Sequence, residues 1–120
     1  MTRQHILIAE DEAIAAMATQ QMLEDITGAV TEVVDSAEAA VQACERSAFD
    51  LVLMDVRLKG EMTGLHAATM IHERFNVPVV LVTAYSPRDL SQSYDELPAF
   101  PFLTKPLAED ELESVLSGLL

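Results

Sequence analysis

The stretch Leu51-Val52-Leu53-Met54-Asp55 decides the fold, because four apolar residues in succession end on a carboxylate. A continuous apolar run of this length is typical of a strand that is buried on both faces of a parallel sheet. The carboxyl ends of such strands line one edge of the sheet, and ligands bind in the crevice there. The stretch therefore predicts that Asp55 lies at a functional edge.

Three further apolar runs end on polar side chains that can bind cations or phosphoryl oxygens. These runs are residues 6–9 before Glu10, Asp11 and Glu12, residues 79–82 before Thr83, and Phe102 with Leu103 shortly before Lys105. Because parallel strands end at a common edge, these motifs and Asp55 are expected to bring carboxylates, a hydroxyl and an ammonium together.

Strand and helix signals alternate along the whole chain. The predicted strands are residues 4–9, 29–34, 51–54, 79–83 and 100–104, and the predicted helices are residues 12–26, 37–47, 64–75, 86–96 and 108–120. This alternation predicts an α/β fold, a doubly wound parallel sheet with helices on both faces. Polar Thr31 and Glu32 place the second strand at a sheet edge, and Pro101, which lacks an N–H, places the fifth strand at an edge too.

Helical spacing predicts which side chains face the core. In the first helix these are Ile14, Ala18, Met22 and Ile26, and in the last helix they are Leu112, Val115, Leu116 and Leu119. The stretch 86–96 is rich in Ser and Asp and has few apolar residues, so a short or irregular helix is expected there.

Composition excludes several classes of function. The 120 residues are expected to form one domain, residues 1–120, with no output domain. A net charge of −13 argues against binding to nucleic acid or to anionic membranes. No apolar run is long enough for a transmembrane helix or a signal peptide. The single cysteine, Cys44, cannot form an internal disulfide, so a cytoplasmic location is expected.

Glu10, Asp11 and Asp55 would repel one another if the fold brought them together. At about 4 Å, each pair of carboxylates costs about 4 kcal/mol at an effective dielectric constant of roughly 20. Mg²⁺, which prefers oxygen ligands, would offset this repulsion. We therefore expect these three residues to form a magnesium site, with Glu10 acting directly or through a water and the backbone carbonyl of Arg57 as a further ligand.

Asp55 is also the residue expected to react, because a carboxylate can attack phosphorus and form an acyl phosphate. The metal and the Lys105 ammonium would neutralise charge on the transferred group, and Thr83 would donate a hydrogen bond to one of its oxygens. Taken singly, the motifs have simpler explanations: an acidic run often caps a helix, and Lys105-Pro106 often marks only the end of a strand. The functional interpretation depends on all of them reaching one edge.

Together these residues resemble the receiver domain of bacterial two-component response regulators, over essentially the whole chain. The segments that carry the resemblance are Ile6-Leu-Ile-Ala-Glu10-Asp11-Glu12, Leu51-Val-Leu-Met-Asp55-Val-Arg57-Leu, Val80-Leu-Val-Thr83-Ala84 and Phe102-Leu-Thr-Lys105-Pro106. The segments Thr83-Ala84-Tyr85 and 98–105 further resemble a subgroup of stand-alone receivers in α-proteobacteria, which pair with histidine kinases of the HWE class.

The resemblance implies a flavodoxin-like (βα)5 fold, a three-layer sandwich with strand order 2-1-3-4-5. It also implies Mg²⁺-dependent transfer of a phosphoryl group from a phosphohistidine of a sensor histidine kinase to Asp55, and a switch in which Thr83 and Phe102 move together. Such a protein catalyses only its own phosphorylation and dephosphorylation. It signals through a downstream protein or drains phosphate from a shared kinase.

The alternative is a pseudo-receiver, a binding module that keeps the fold and has lost the chemistry. Two other classes fit less well. Small Mg²⁺ hydrolases usually carry Asp-x-Asp after the first strand, where this chain has Glu10-Asp11-Glu12. Flavodoxins need a phosphate cradle rich in Ser, Thr and Gly in the first loop, and this chain lacks one. Lys59 stands where receivers commonly have Pro, and the stretch 86–96 is a poor version of their fourth helix.

Overall fold

Five parallel strands form one sheet in a computed structural model that describes residues 3–58, 60–84 and 100–120. The strands are β1 (His5–Ala9), β2 (Val30–Val34), β3 (Leu51–Asp55), β4 (Val79–Thr83) and β5 (Phe102–Thr104), and the described helices are α1 (Ala13–Thr27), α2 (Ala37–Arg46), α3 (Gly64–Phe75) and α4 (Glu109–Leu119). The strand order is β2-β1-β3-β4-β5. Both the predicted fold class and the predicted edge positions of the second and fifth strands are confirmed.

Two apolar clusters hold helices against the two faces of the sheet. The first joins β1, β3 and β4 to α2 and α3, and the second joins the same strands to α1 and α4. Every residue of β3 and β4 is buried, as their continuous apolar sequences predict. The result is the three-layer arrangement, with β3 at its centre.

The strand register aligns the ends of the strands that carry the candidate site. Ala9 pairs with Met54, Asp55 pairs with Val82, and Thr83 pairs with Thr104. The residues that follow β1, β3, β4 and β5 therefore emerge side by side at one edge of the sheet. This register is what turns four separate sequence motifs into one site.

Local signals fix several helix ends. The Ser36 side chain accepts a hydrogen bond from the Ala39 N–H at 3.0 Å, which caps α2. Gly28 ends α1 in the left-handed conformation, with φ of 68°. Asn76 ends α3 in the same conformation, at φ of 55°. Among the described residues, no helix is both long and apolar enough to cross a membrane.

The predicted buried face of α1 is wrong in its first half. Ile14 is 84% exposed and Ala18 is exposed, whereas Ala16 and Leu23 are buried. Residues 13–18 are almost all apolar, so their spacing does not distinguish one face from another. Packing decides instead, and it places Ala16 and Leu23, two turns apart, against the sheet.

Two boundaries near the C-terminus also differ from the predictions. β5 begins at Phe102, because Pro101 offers only its carbonyl, which accepts a hydrogen bond from the Leu81 N–H at 2.9 Å. Leu119 is exposed at the end of α4, while Leu112 and Leu116 are buried as predicted. Tyr85, Lys59 and the helix predicted over residues 86–96 lie outside the described residues.

Cys44 is buried in α2, and burial together with the nearby charge of Glu32 raises the pKa of its thiol to about 11. Because the thiolate is the reactive form, we expect iodoacetamide at pH near 8 to modify Cys44 in the native protein at least about a hundredfold more slowly than in urea-unfolded protein. Mass spectrometry of timed samples would measure both rates. Equal rates would contradict the burial of Cys44.

Candidate functional site

Three carboxylates meet at the carboxyl ends of β1 and β3. Glu10 and Asp11 follow β1, Asp55 is the last residue of β3, and one oxygen from each lies within 4.8 Å of the others. Glu10 and Asp55 are each only 6% exposed, whereas Asp11 is half-buried. The sequence prediction that these three side chains lie together agrees with this geometry.

Lys105 enters the cluster from β5 and lies between two of its carboxylates. Its Nζ atom is 2.6 Å from Glu10 Oε2 and 2.8 Å from Asp55 Oδ2. The backbone of Lys105 is held as well, because its N–H donates to the Thr83 carbonyl at 2.7 Å. The ammonium is thus aimed at the cluster by the continuation of β5 alongside β4.

Backbone N–H groups hold the other oxygen of each paired carboxylate. The Arg57 N–H donates to Asp55 Oδ1 at 2.8 Å, and the Glu12 N–H donates to Glu10 Oε1 at 3.1 Å. Glu10 and Asp55 therefore each accept hydrogen bonds at both carboxylate oxygens, one from the Lys105 ammonium and one from a backbone N–H. This arrangement fixes the planes of Glu10 and Asp55 before any ligand binds.

Burial and ion pairing shift the pKa values of Glu10 and Lys105. Burial raises the pKa of Glu10 and the charge of Asp55 adds to the rise, while hydrogen bonds from Lys105 and the Glu12 N–H oppose it. Burial alone would lower the pKa of Lys105, but its hydrogen bonds to Asp55 and Glu10 outweigh that effect and raise the pKa. Lys105 is therefore a full cation at neutral pH, yet it does not wholly compensate the buried charge of Glu10.

Thr83 lies beside this cluster at the end of β4, whereas Phe102 on β5 pairs with Leu81, two residues before that end. Thr83 is 1% exposed at the last position of β4, next to Asp55 in the sheet order. Phe102 precedes Lys105 on β5 and is half-buried against the apolar cluster shared with α2 and α3. The last helix, α4, packs on the opposite face of the sheet.

Gly64 is a residue of the site that sequence reasoning did not single out. A Cβ atom at this position would lie 2.1 Å from the carbonyl oxygen of Asp55, so only glycine lets α3 begin this close to β3. The sequence feature that could have identified Gly64 is a glycine at the first position of the predicted helix, directly after Thr63. The Thr63 side chain caps α3 by accepting from the His66 N–H at 3.0 Å.

The donor set fits a hard divalent cation. Glu10, Asp11 and Asp55 offer only oxygen ligands, and their combined negative charge exceeds the single positive charge of Lys105. Mg²⁺ typically uses one or two carboxylates and keeps several waters, which a half-open cluster of this kind allows. Arg57 is an exposed residue whose backbone N–H donates to Asp55 Oδ1 at 2.8 Å, so its backbone borders the site.

The family model of the response regulator receiver domain matches residues 6–117 of the chain. The transcriptional regulatory protein PdtaR of Mycobacterium tuberculosis is 34% identical over 107 residues, which cover 89% of this chain and 52% of PdtaR. The phyllosphere-induced regulator PhyR of Methylorubrum extorquens is 34% identical over 116 residues, covering 96% of this chain and 43% of PhyR. The chain thus spans about half the length of these curated relatives, or less.

Solved structures show the same likeness. The receiver domain of the sensor histidine kinase PA1611 from Pseudomonas aeruginosa is 27% identical, with a TM-score of 0.85 and coverage of 98% of both chains. That structure holds a magnesium ion in its active site cleft. A CheY-like receiver domain from Methylobacillus flagellatus, 23% identical with a TM-score of 0.83 over 99% of this chain and 100% of that one, shares the fold.

We expect Mg²⁺ to raise the midpoint of thermal unfolding, because a ligand that binds only the folded state stabilises it. At ten times the dissociation constant, the gain is about 1.4 kcal/mol, or about 5 °C for a domain of this size. Asp11→Asn should lose most of this gain, whereas Glu73→Gln, which removes an exposed charge on α3, should keep it. An equal gain in Asp11→Asn and the parent would exclude Asp11 as a ligand.

Proposed function

Because this chain belongs to the response regulator receiver domain family, we propose that it accepts a phosphoryl group from a histidine kinase on Asp55, in a reaction that requires Mg²⁺. The observation that carries the proposal is the Lys105 ammonium, 2.8 Å from Asp55 inside a cluster of three carboxylates. A reactive carboxylate, a cation beside it and a group of oxygen ligands are the parts that phosphoryl transfer needs.

The reaction exchanges one bond to phosphorus for another. A carboxylate oxygen of Asp55 attacks the phosphorus of a phosphohistidine, an O–P bond forms, the N–P bond breaks, and the leaving imidazole takes up a proton. Glu10, Asp11, Asp55 and the Arg57 carbonyl would hold Mg²⁺, which would supply positive charge to the phosphoryl oxygens. In this proposal the protein catalyses only the gain and loss of its own phosphoryl group.

Lys105 and Thr83 bind the incoming group. The Lys105 ammonium already lies 2.8 Å from Asp55 Oδ2, so a short movement would bring it to a phosphoryl oxygen on that residue. Thr83 ends the neighbouring strand and offers a hydroxyl to a second oxygen. Phosphorylation replaces about one negative charge by about two, which favours a rearrangement of Thr83 and Phe102 toward the new group.

One observation favours the alternative, a pseudo-receiver that binds partners without being phosphorylated. Lys105 pairs with both Glu10 and Asp55, so the buried carboxylates have a cationic partner without metal or phosphate. The two candidates differ in what Mg²⁺ and a phosphodonor do. A pseudo-receiver gains no phosphoryl group from either a kinase or a small donor.

We expect one phosphoryl group per chain after incubation with acetyl phosphate and Mg²⁺, measured as a mass increase of the intact protein. Asp55→Asn should gain none, because an amide is not a nucleophile toward phosphorus. Asp50→Asn, an exposed aspartate at the other end of β3, is the matched control and should be labelled like the parent. Labelling of Asp55→Asn at the parent rate would show that another residue is the acceptor.

A groove beside the site is suited to a kinase helix. It runs between α1 and the segment after β5, and its lining includes Ala15, Met22 and Leu107, with Glu10 and Lys105 at the end nearest the site. On the same helix, Ile14 and Met17 expose 84% and 67% of their surface. Ile14 and Met17 do not line the groove itself, and we propose that the donor kinase docks a helix on the surface formed by the groove and these two exposed side chains of α1, because apolar side chains with this exposure are candidates for a binding surface.

Met17→Glu should slow phosphotransfer from a cognate kinase about tenfold, because it places a charge in an apolar contact worth about 1.4 kcal/mol. Acetyl phosphate needs no docking surface, so labelling by it should keep the parent rate. Val30→Glu changes a similarly exposed apolar residue on β2, away from the groove, and serves as the control. Equal slowing with both donors would mean that Met17→Glu damages the site rather than docking.

A further inference from the structure

The loop between β3 and α3 is held at both ends. Near its start, the Arg57 N–H donates to Asp55 Oδ1 at 2.8 Å. At its end, the Gly64 N–H donates to the Val56 carbonyl at 3.3 Å, and Gly64 lies against the backbone of Asp55. Arg57 and Gly60 are three residues apart in this loop, so the placement of Gly60 bears on the position of the Arg57 carbonyl.

The middle of the loop rests on a side chain of another helix. Gly60 has φ of 113°, a conformation that residues with a Cβ rarely adopt. A Cβ atom here would lie 3.0 Å from Glu38 Oε1 and 3.1 Å from Glu38 Oε2. The Glu38 carboxylate thus lies close to Gly60, and it is the positive φ that favours glycine at this position.

Glu38 projects from a rigid support. It lies in the first turn of α2, where Ser36 caps the helix, and its neighbours Ala37 and Ala40 are fully buried. A side chain on such a helix has a fixed origin. Contact with Glu38 can therefore fix the distance between Gly60 and α2. The position of Gly60 in turn affects the path of the loop that contains Arg57.

Hydrogen bonding does not account for the burial of the Glu38 carboxylate. Its Oε1 atom is buried without a hydrogen-bond partner, and it is unique in this among the side-chain atoms of the described ranges 3–58, 60–84 and 100–120. An unsatisfied buried oxygen is destabilising, and such atoms in native proteins call for an explanation. Residues that break a local rule of this kind are often kept for the function of a site.

We propose that Glu38 is a positioning residue for the magnesium and phosphoryl site, acting by contact with Gly60 on the loop after Asp55. This inference rests on the proposed function, since it concerns the geometry of that site. Glu38 contacts neither metal nor phosphoryl group. Its role is to brace the loop so that the Arg57 carbonyl and the Arg57 N–H stay where the site needs them.

The test compares Glu38→Ala, Glu38→Gln and the parent by titration calorimetry with MgCl₂ and by the rate of labelling with acetyl phosphate. Removing the brace should weaken Mg²⁺ binding about tenfold, the loss typical of residues that support metal ligands. Glu38→Gln keeps the shape and removes the charge, so it should bind Mg²⁺ within about twofold of the parent. Glu73→Ala removes an exposed glutamate from α3 and controls for net charge.

A second variant approaches the same contact from the loop. Gly60→Ala introduces the Cβ that Glu38 would meet and also strains the backbone at φ of 113°, so it should weaken Mg²⁺ binding for both reasons. In the double variant Glu38→Ala/Gly60→Ala, the combined loss should be smaller than the product of the two single losses, because both changes act on one contact. Circular dichroism and thermal unfolding of each variant establish that the fold is retained.

The outcomes separate this inference from the proposed function. If the parent binds Mg²⁺ and is labelled but Glu38→Ala behaves like the parent, Glu38 has no positioning role. If Glu38→Gln loses as much affinity as Glu38→Ala, the effect is one of charge and the brace is refuted. If the parent neither binds Mg²⁺ nor takes label, the proposed function fails, and the positioning role fails with it.

Discussion

Two almost fully buried carboxylates, Glu10 and Asp55, lie close together at the ends of adjacent strands, and the ammonium of Lys105 lies 2.6 Å from one and 2.8 Å from the other. Without this cation, two charges of the same sign would face each other in a setting of low polarity, which is strongly unfavourable. The pair is satisfied in the folded protein by a side chain that can move away. The ion pairs of Lys105 therefore stabilise the folded protein and also keep together the carboxylates that could bind a divalent cation.

The sheet makes this arrangement possible, because parallel strands in the order β2-β1-β3-β4-β5 place β3 at the centre and β1 and β4 on either side of it. Asp55 therefore has an acidic residue from β1 on one flank and Thr83 of β4 on the other. Helices cover both faces, so the edge at the strand ends is where polar groups can reach water. Asp55, the last residue of the buried strand β3, therefore lies at the edge where ligands bind in parallel α/β sheets.

Much of this could be predicted from the sequence, for identifiable reasons. Uninterrupted apolar runs identified β3 and β4, and the polar residue after each run identified the site. The buried face of α1 could not be predicted, because residues 13–18 are apolar on nearly every side. The close approach of Gly64 to Asp55 and the proposed role of Glu38 could not be predicted either, since both depend on distances that only the packed structure fixes. Apolar periodicity in the sequence predicts helices and strands, but it does not predict which residues of different helices and strands come into close contact.

The pair of Lys105 and Glu10 joins residues that are 95 positions apart in the chain. During synthesis, β1 to β4 leave the ribosome before β5, so the acidic residues of the first and third strands emerge well ahead of their ammonium partner. A nascent chain that pairs its early strands therefore carries uncompensated charge at the strand ends. Docking of the last strand and α4 removes that repulsion, which couples completion of the sheet to neutralisation of its functional edge.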